Sequence, residues 1–558
     1  MADDDDYVCN DDVLISTEDL LSSALKLVPT AVEKAKLVKG FQAKWKMIIS
    51  KLEQIPSRLS DLSCHPCFSK NTLCKEQLQT VSITLKEVIQ LAETSIAEKF
   101  EGKLQMQSDL DALIGKLDLN LKDCSLLIKT GMLVDVTVPV SIPISISPSP
   151  HGNIRELLAR LQIGHLESKQ KALETLIEIM RDDEKMVFSV LGRSNVAALV
   201  QLLTATSPRM REMTVSVLCS LAESGSCENW LISEGILPPL IRLLESGSSF
   251  GKEKAVISLQ RLSMSPETAR SIVGHGGIRP LTEICRFGDS VVQSSAACTL
   301  KNISTLPDAR QTLADESVVK LMIELLNIGS LLGTKEYAAE CLQNLTSTND
   351  SLRKAVISAG GVKSLLDYID SPFPQEPAIG AVKNLVSLMS IEVLTSMGLI
   401  QRLVHVLKSG SPGAQQSAAA TVCKICGSIE IKRLMGEAGC IPFLIKMLEG
   451  KTYTGREMAA QAISILIVVP QNCREVKKDD KSVPNLVQSL DPSLQNTAKK
   501  YAIVCLTAIS TSKRCKKGMI SYGAIGYLKK LSEMEVVGAK KLLDRLERGK
   551  IRSFFSRK

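Results

Sequence analysis

The chain has 558 residues, too long for one hydrophobic core, so several domains or a repeat array are expected. Aromatic residues make up only 3% against 44% hydrophobic residues overall, which favours stacked helices with aliphatic seams over a sheet-rich enzyme. A net charge of +8 is modest for this length and makes nucleic acid an unlikely partner.

The sixteen cysteines are scattered. The opening MADDDDYVCNDD has no apolar signal region, and no apolar run is long enough to span a membrane, so a cytoplasmic or nuclear, reducing compartment is expected. Residues 1–14 hold six Asp and little to bury, and are expected to be disordered. A helical pattern starts at Ser16. Leu21, Ala24, Val28, Ala31 and Ala35 form one stripe, and Phe41, Trp45, Ile48, Leu52 and Ile55 a second, which Pro56 is expected to close. Beyond a loop with Cys64, Pro66 and Cys67, a third helix shows Leu78, Val81, Leu85, Val88, Ala92 and Ile96. A fourth shows Met106, Leu110, Leu113, Leu117, Leu121, Cys124 and Ile128. Four amphipathic helices with short connections predict an antiparallel bundle over 15–131. A segment over 132–152 follows, with Pro139, Pro143, Pro148 and Pro150 and no charge between Val136 and Pro150. It reads as a linker, because proline blocks helix continuation.

From Asn153 the chain repeats itself. A β-branched residue or leucine opens one helix of each unit at Ile154, Val196, Leu237, Ile278, Val319, Val362, Ile400, Ile441, Val483 and Ile525, at intervals of 38 to 43 residues. Such a period is the mark of an α-solenoid whose units must stack, since one unit cannot bury its own apolar faces. Two residues before the anchor stand Gly235, Gly276, Gly360, Gly398, Gly439 and Gly523, which predict a left-handed turn between the first and second helices of a three-helix unit. Pro238, Pro280, Pro442 and Pro484 fall in the first turn of the second helix.

This unit, with G-hydrophobic-x-P-L and a later A-A-x-x-L-x-N-(I/L), resembles the armadillo repeat over roughly residues 153–535. The layout is similar to plant armadillo-repeat proteins with an N-terminal helical domain, related to the U-box/armadillo ubiquitin ligases. The stretch between Met132 and Gly152 is too short for a U-box, so the resemblance implies a protein-binding adaptor and not a ligase. The implied fold is all-α: an antiparallel bundle, then a right-handed armadillo solenoid over 153–548 that includes a C-terminal capping helix.

The resemblance also implies that third helices line a concave groove where an Asn near each helix end grips a bound peptide. A carboxamide suits that task because it both donates and accepts. The matching groove positions in the central units are Arg261, Asn302, Asn344, Asn384 and Lys424. Ser216, Ile257, Cys298, Glu340, Gly380 and Ala420 stand where import receptors carry Trp, so nuclear-signal binding is not expected. The expected partners are proteins, in the groove and on the bundle. They could include signalling or ubiquitin-pathway components, with this chain as the substrate-binding subunit of a separate ligase.

Chemistry has weaker signals. Cys64, His65, Cys67 and Cys74 lack a second metal-binding pair, and Cys423 and Cys426 lie within a helix. His65, His151, His165, His275 and His405 are dispersed, and no phosphate loop or nucleophile elbow occurs. No catalytic residue, metal, cofactor or small-molecule substrate is expected. The last residues, 549–558, form a basic tail whose Lys550, Arg552, Phe554, Phe555, Arg557 and Lys558 suit either an anionic plasma-membrane surface or a nuclear import receptor.

Overall fold

The computed structural model describes residues 16–66, 68–69, 71–97, 102–129, 150–163, 166–372, 375–493 and 497–555. The acidic opening, Cys67, His165, residues 132–149 of the expected linker, Arg557 and Lys558 lie outside the described residues. The described residues form helices and no strand, so the fold is all-α. Contacts gather the chain into two compact units, Met1–Pro239 and Leu240–Lys558.

The first unit opens with α1 (Thr17–Leu37), capped by Ser16, whose Oγ accepts from the Asp19 N–H at 3.1 Å. Next come α2 (Gln42–Leu52) and α3 (Ile55–Ser63), then α4 (Thr72–Ile96), capped by Asn71, and α5 (Lys103–Lys129). The bundle segment thus has five helices where the sequence pattern suggested four. Pro56 does not close the second helix; it opens α3, because the first helical turn has no use for the N–H that proline lacks. The apolar stripes meet in one core containing Ala24, Val28, Ala31, Trp45, Ile48, Leu52, Leu59, Leu78, Leu85, Leu110 and Leu117. In α1 it is Leu20 that is buried, and Leu21 only packs against the core.

The helix α6 (Pro150–Gln162) begins within the expected linker, since proline is tolerated at a helix start. Its Ala159 and the following Ile163 join the bundle core. Its Arg160 bridges Glu76 at 2.8 Å and Glu156 at 3.0 Å, tying it to α4.

In the second unit each repeat holds a short first helix, a second helix such as Ile278–Phe287, and a third helix. The third helices are Ser249–Leu262, Ser290–Ser304, Leu332–Leu345, Glu376–Leu385, Pro412–Ile425, Tyr453–Leu466 and Ala498–Ile509. Each packs along the next. The seam is built on fully buried alanines, including Ala296, Ala297, Ala338, Ala339, Ala418, Ala419, Ala459 and Ala460, whose small side chains let the helices approach closely. The anchor residues Ile278, Val319, Val362, Ile400 and Ile441 are all buried.

All six glycines before the anchors adopt positive φ, between 75° and 83°. At the same position of the Val319 repeat stands Ser317, also left-handed, with φ 60°. A residue with a Cβ is strained there by about 1–2 kcal/mol, while glycine returns about 0.5–1 kcal/mol through the freer unfolded chain. Ser317→Gly is therefore expected to stabilise the second unit by up to about 1 kcal/mol, and Gly360→Ala to destabilise it by about 1 kcal/mol. Urea midpoints of the two variants against the parent check both signs.

Candidate functional site

The third helices of the second unit bring the sequence-predicted groove residues into register. Asn302 Nδ2 donates to Ser263 Oγ at 2.8 Å, and Asn344 Nδ2 donates to Ser304 Oγ at 3.0 Å. Asn384 Nδ2 donates to Thr346 Oγ1 at 3.2 Å and to the Gln343 carbonyl at 3.3 Å. At the next equivalent position Lys424 Nζ donates to the Lys383 carbonyl at 2.8 Å. Arg261, one unit before Asn302, is exposed. The three asparagines and Lys424 thus reach back to the end of the preceding third helix, where the last carbonyls lack backbone partners within the helix. The three asparagines are half-buried. A primary carboxamide has two N–H donors and an acceptor oxygen, so these bonds leave capacity for a ligand.

Asn344 lies at the edge of an open depression of about 720 Å³ lined also by Lys301, Glu336, Glu340, Gln343 and Glu376. Lys301 pairs with Glu340 at 3.4 Å and lies 5.5 Å from the centre of the Tyr337 ring. Burial, reinforced by the neighbouring Glu340, raises the Glu336 carboxyl above the usual carboxylate range. The Glu376 carboxylate accepts from Ser411 Oγ at 2.8 Å and sits where a side chain on Gly413 would have to go. One repeat further along, partial burial and then the charges of Lys383 and Arg353 lower the Lys424 ammonium. The third-helix face therefore changes from acidic around Glu336, Glu340 and Glu376 to basic around Lys383 and Lys424. Cys298 and Cys423 on this face are both held protonated, chiefly by burial, the latter at about 12.

Sequence reasoning singled out Arg261, Lys424 and the asparagines, and named Glu340 only as a position without Trp; it missed Lys301, Glu336 and Glu376. The three lie outside the asparagine register and come together only when adjacent repeats are stacked. It also missed a set of arginine clamps. Arg310 Nε donates to the Ser304 carbonyl at 2.9 Å, and its Nη1 donates to Ser347 Oγ at 2.8 Å and Thr348 Oγ1 at 2.9 Å. Arg353 repeats the motif on the Thr346 and Ser347 carbonyls at 2.7 and 2.8 Å. A cation at the negative end of a helix is favourable, and the signal that could have found these residues is an Arg six or eight positions after the helix end.

The other candidates separate. Cys64 is exposed, while Cys74 is buried at the start of α4, its thiol pushed up to about 12 by burial. Among the described residues no three His, Cys, Asp or Glu side chains gather as a metal site. The helix Ala539–Phe555 buries Leu542 and Leu546, and it runs on through Lys550, Arg552, Phe554 and Phe555, where the sequence suggested a separate tail after residue 548. No helix among the described residues is long and apolar enough to cross a membrane.

Three likenesses to known proteins bear on this geometry. A family profile described as a domain of unknown function, DUF7032, matches residues 22–132, the α1–α5 bundle. A U-box domain-containing protein 8 from Arabidopsis thaliana is 30% identical over 168 residues, 29% of this chain, and the match spans 44% of that protein's length. The crystal structure of an engineered protein superposes with a TM-score of 0.59 at 26% identity, covering 71% of this chain and 99% of the other.

Proposed function

We propose that this chain is a non-enzymatic adaptor whose second unit is an armadillo-type scaffold that holds an extended segment of a partner protein along its third helices. The observation that carries this reading is the register of Asn302, Asn344 and Asn384. They stand 42 and 40 residues apart, on equivalent faces of neighbouring repeats, each retaining hydrogen-bonding capacity. An extended peptide presents alternating C=O and N–H groups, which a row of carboxamides can pair. The change from Glu336 and Glu340 to Lys383 and Lys424 would set its direction through charge. In the same reading the α1–α5 bundle engages a second protein, and the scaffold works in the cytoplasm or nucleus.

The test begins with peptides selected from a displayed library of natural protein segments. Asn344→Ala with Asn384→Ala is expected to weaken a selected peptide at least about tenfold, the loss of one to two net hydrogen bonds per carboxamide. Both asparagines also brace the stack, so the melt must be followed alongside. The exposed Lys424→Glu keeps both braces and reverses the charge next to them. Peptide affinity unmoved by either variant rejects the reading.

The likeness to a U-box protein favours a second version of the same role, in which the scaffold presents a substrate to a separately supplied ubiquitin ligase. The chain alone is then expected to be blank in an autoubiquitination assay and to raise substrate ubiquitination only when a U-box or RING partner is added. Ubiquitin transfer by the isolated chain would overturn both the adaptor and the non-enzyme reading.

A further inference from the structure

The charge of this protein is concentrated at one end. Residues 499–558 carry sixteen Lys and Arg against four Asp and Glu, a net +12, whereas residues 1–498 carry a net −4. The fold gathers part of that charge into a built surface. Lys516, Lys540, Lys541 and Arg545 line one open depression of about 970 Å³ at the end of the second unit, with Asp544 its one acid. Lys516 lies on the helix Lys513–Ser521 and the other three on Ala539–Phe555. The two helices are pinned there. Lys516 Nζ donates to the Arg545 carbonyl at 3.2 Å, and Arg545 Nη1 donates to the Thr507 carbonyl and to Ser510 Oγ, both at 3.1 Å. Nearby Lys529 reaches Glu547 at 3.8 Å, but among the described residues none of the four cations in the depression has a carboxylate ion-pair partner.

An apolar tip sits at the mouth of this depression. Val537, which lines it, is 87% exposed, and Met534 in the same connector is 58% exposed. We propose that this end of the second unit docks on an anionic lipid bilayer, with the four cations facing the headgroups and Val537 and Met534 entering the interface. Cations gain free energy near a negatively charged leaflet, and apolar side chains beside them add the term that distinguishes a membrane from other polyanions. Nucleic acid would use the same charges, but an exposed valine and methionine offer it neither a stacking plane nor a hydrogen bond. The helix that carries three of the cations continues in sequence through Arg548, Lys550, Arg552, Phe554 and Phe555, the same mixture of basic and apolar residue types. The site does not depend on the third-helix face, so either proposal can fail without the other.

The test uses the full chain in sedimentation with vesicles of phosphatidylcholine alone and of phosphatidylcholine mixed with phosphatidylserine. Binding is expected only to the mixed vesicles and should weaken as salt is raised. Lys540→Gln with Lys541→Gln, both exposed, is expected to weaken it about thirtyfold, at roughly fivefold per cation, while Lys252→Gln with Lys320→Gln leaves it unchanged. Val537→Asn, which changes no charge, is expected to weaken vesicle binding about tenfold while leaving the retention on heparin nearly unchanged. Equal binding to neutral and mixed vesicles, or indifference to Lys540→Gln with Lys541→Gln, overturns the proposal. So does a duplex nucleic acid that binds more tightly than the mixed vesicles, or vesicle binding that is insensitive to Val537→Asn.

Discussion

Trp45→Ala is expected to destabilise the N-terminal bundle by about 3–5 kcal/mol, the cost of emptying a large aromatic site in a close-packed core. Trp45 is 2% exposed on α2 and belongs to the same core as the fully buried Ile48, Leu52, Leu59 and Leu110. Those neighbours come from three helices, so the cavity cannot collapse by moving one side chain. Trp45→Phe is expected to cost far less, within about 1.5 kcal/mol. The indole Nε1 has no hydrogen-bond partner among the described residues. Removing an unpaired buried donor recovers desolvation free energy of about 1–3 kcal/mol, which offsets much of the lost volume. Amide hydrogen exchange in α2 and α5 reads both variants without needing the tryptophan as a probe. Equal loss of protection in the two would mean that the indole N–H is well satisfied after all.

Arg310→Ala should be nearly as damaging to the second unit, at about 3–4 kcal/mol. The guanidinium is 8% exposed and joins the Ser304 and Thr305 carbonyls, at the end of one third helix, to the Ser347 and Thr348 hydroxyls beyond the end of the next. Hydrogen bonds to a charged group are worth about 1.5–3 kcal/mol each, and truncation leaves their partners unsatisfied. Arg310→Lys keeps the charge but not the planar fork, so it is expected to restore less than half of the loss. Hydrogen exchange should show the damage in the Ser290–Ser304 and Leu332–Leu345 helices and leave α1–α5 untouched. A Lys variant as stable as the parent would mean that charge alone, not the fork, joins the two repeats.

Much of the local architecture was legible because its causes are local. The period of the anchors, the left-handed glycines and the apolar stripes each follow from the conformational limits of a few adjacent residues, and all six glycines adopt the backbone their position demands. Pro56 was misread because proline has two local meanings, helix stop and helix start. Only the packing of Leu59 and Leu62 beneath the bundle, as the buried face of α3, decided between them.

The candidate binding face was legible only in part. The asparagine register can be seen in the chain, but not the serines, threonine and carbonyl, some 38 to 41 residues away, that accept their hydrogen bonds. The same holds for the Arg310 clamp, the depression around Glu336 and Glu376, and the basic hollow between Lys516 and Lys541.

The sequence by itself determined that this chain is helical, that it repeats near every forty residues and where each unit turns, since steric and solvation limits on neighbouring residues suffice for that. The tertiary structure alone decided which polar groups brace the stack and which face outward. A hydrogen bond or charge cluster across a repeat interface depends on the separation and rotation of two helices, and no residue encodes that without its neighbour in place.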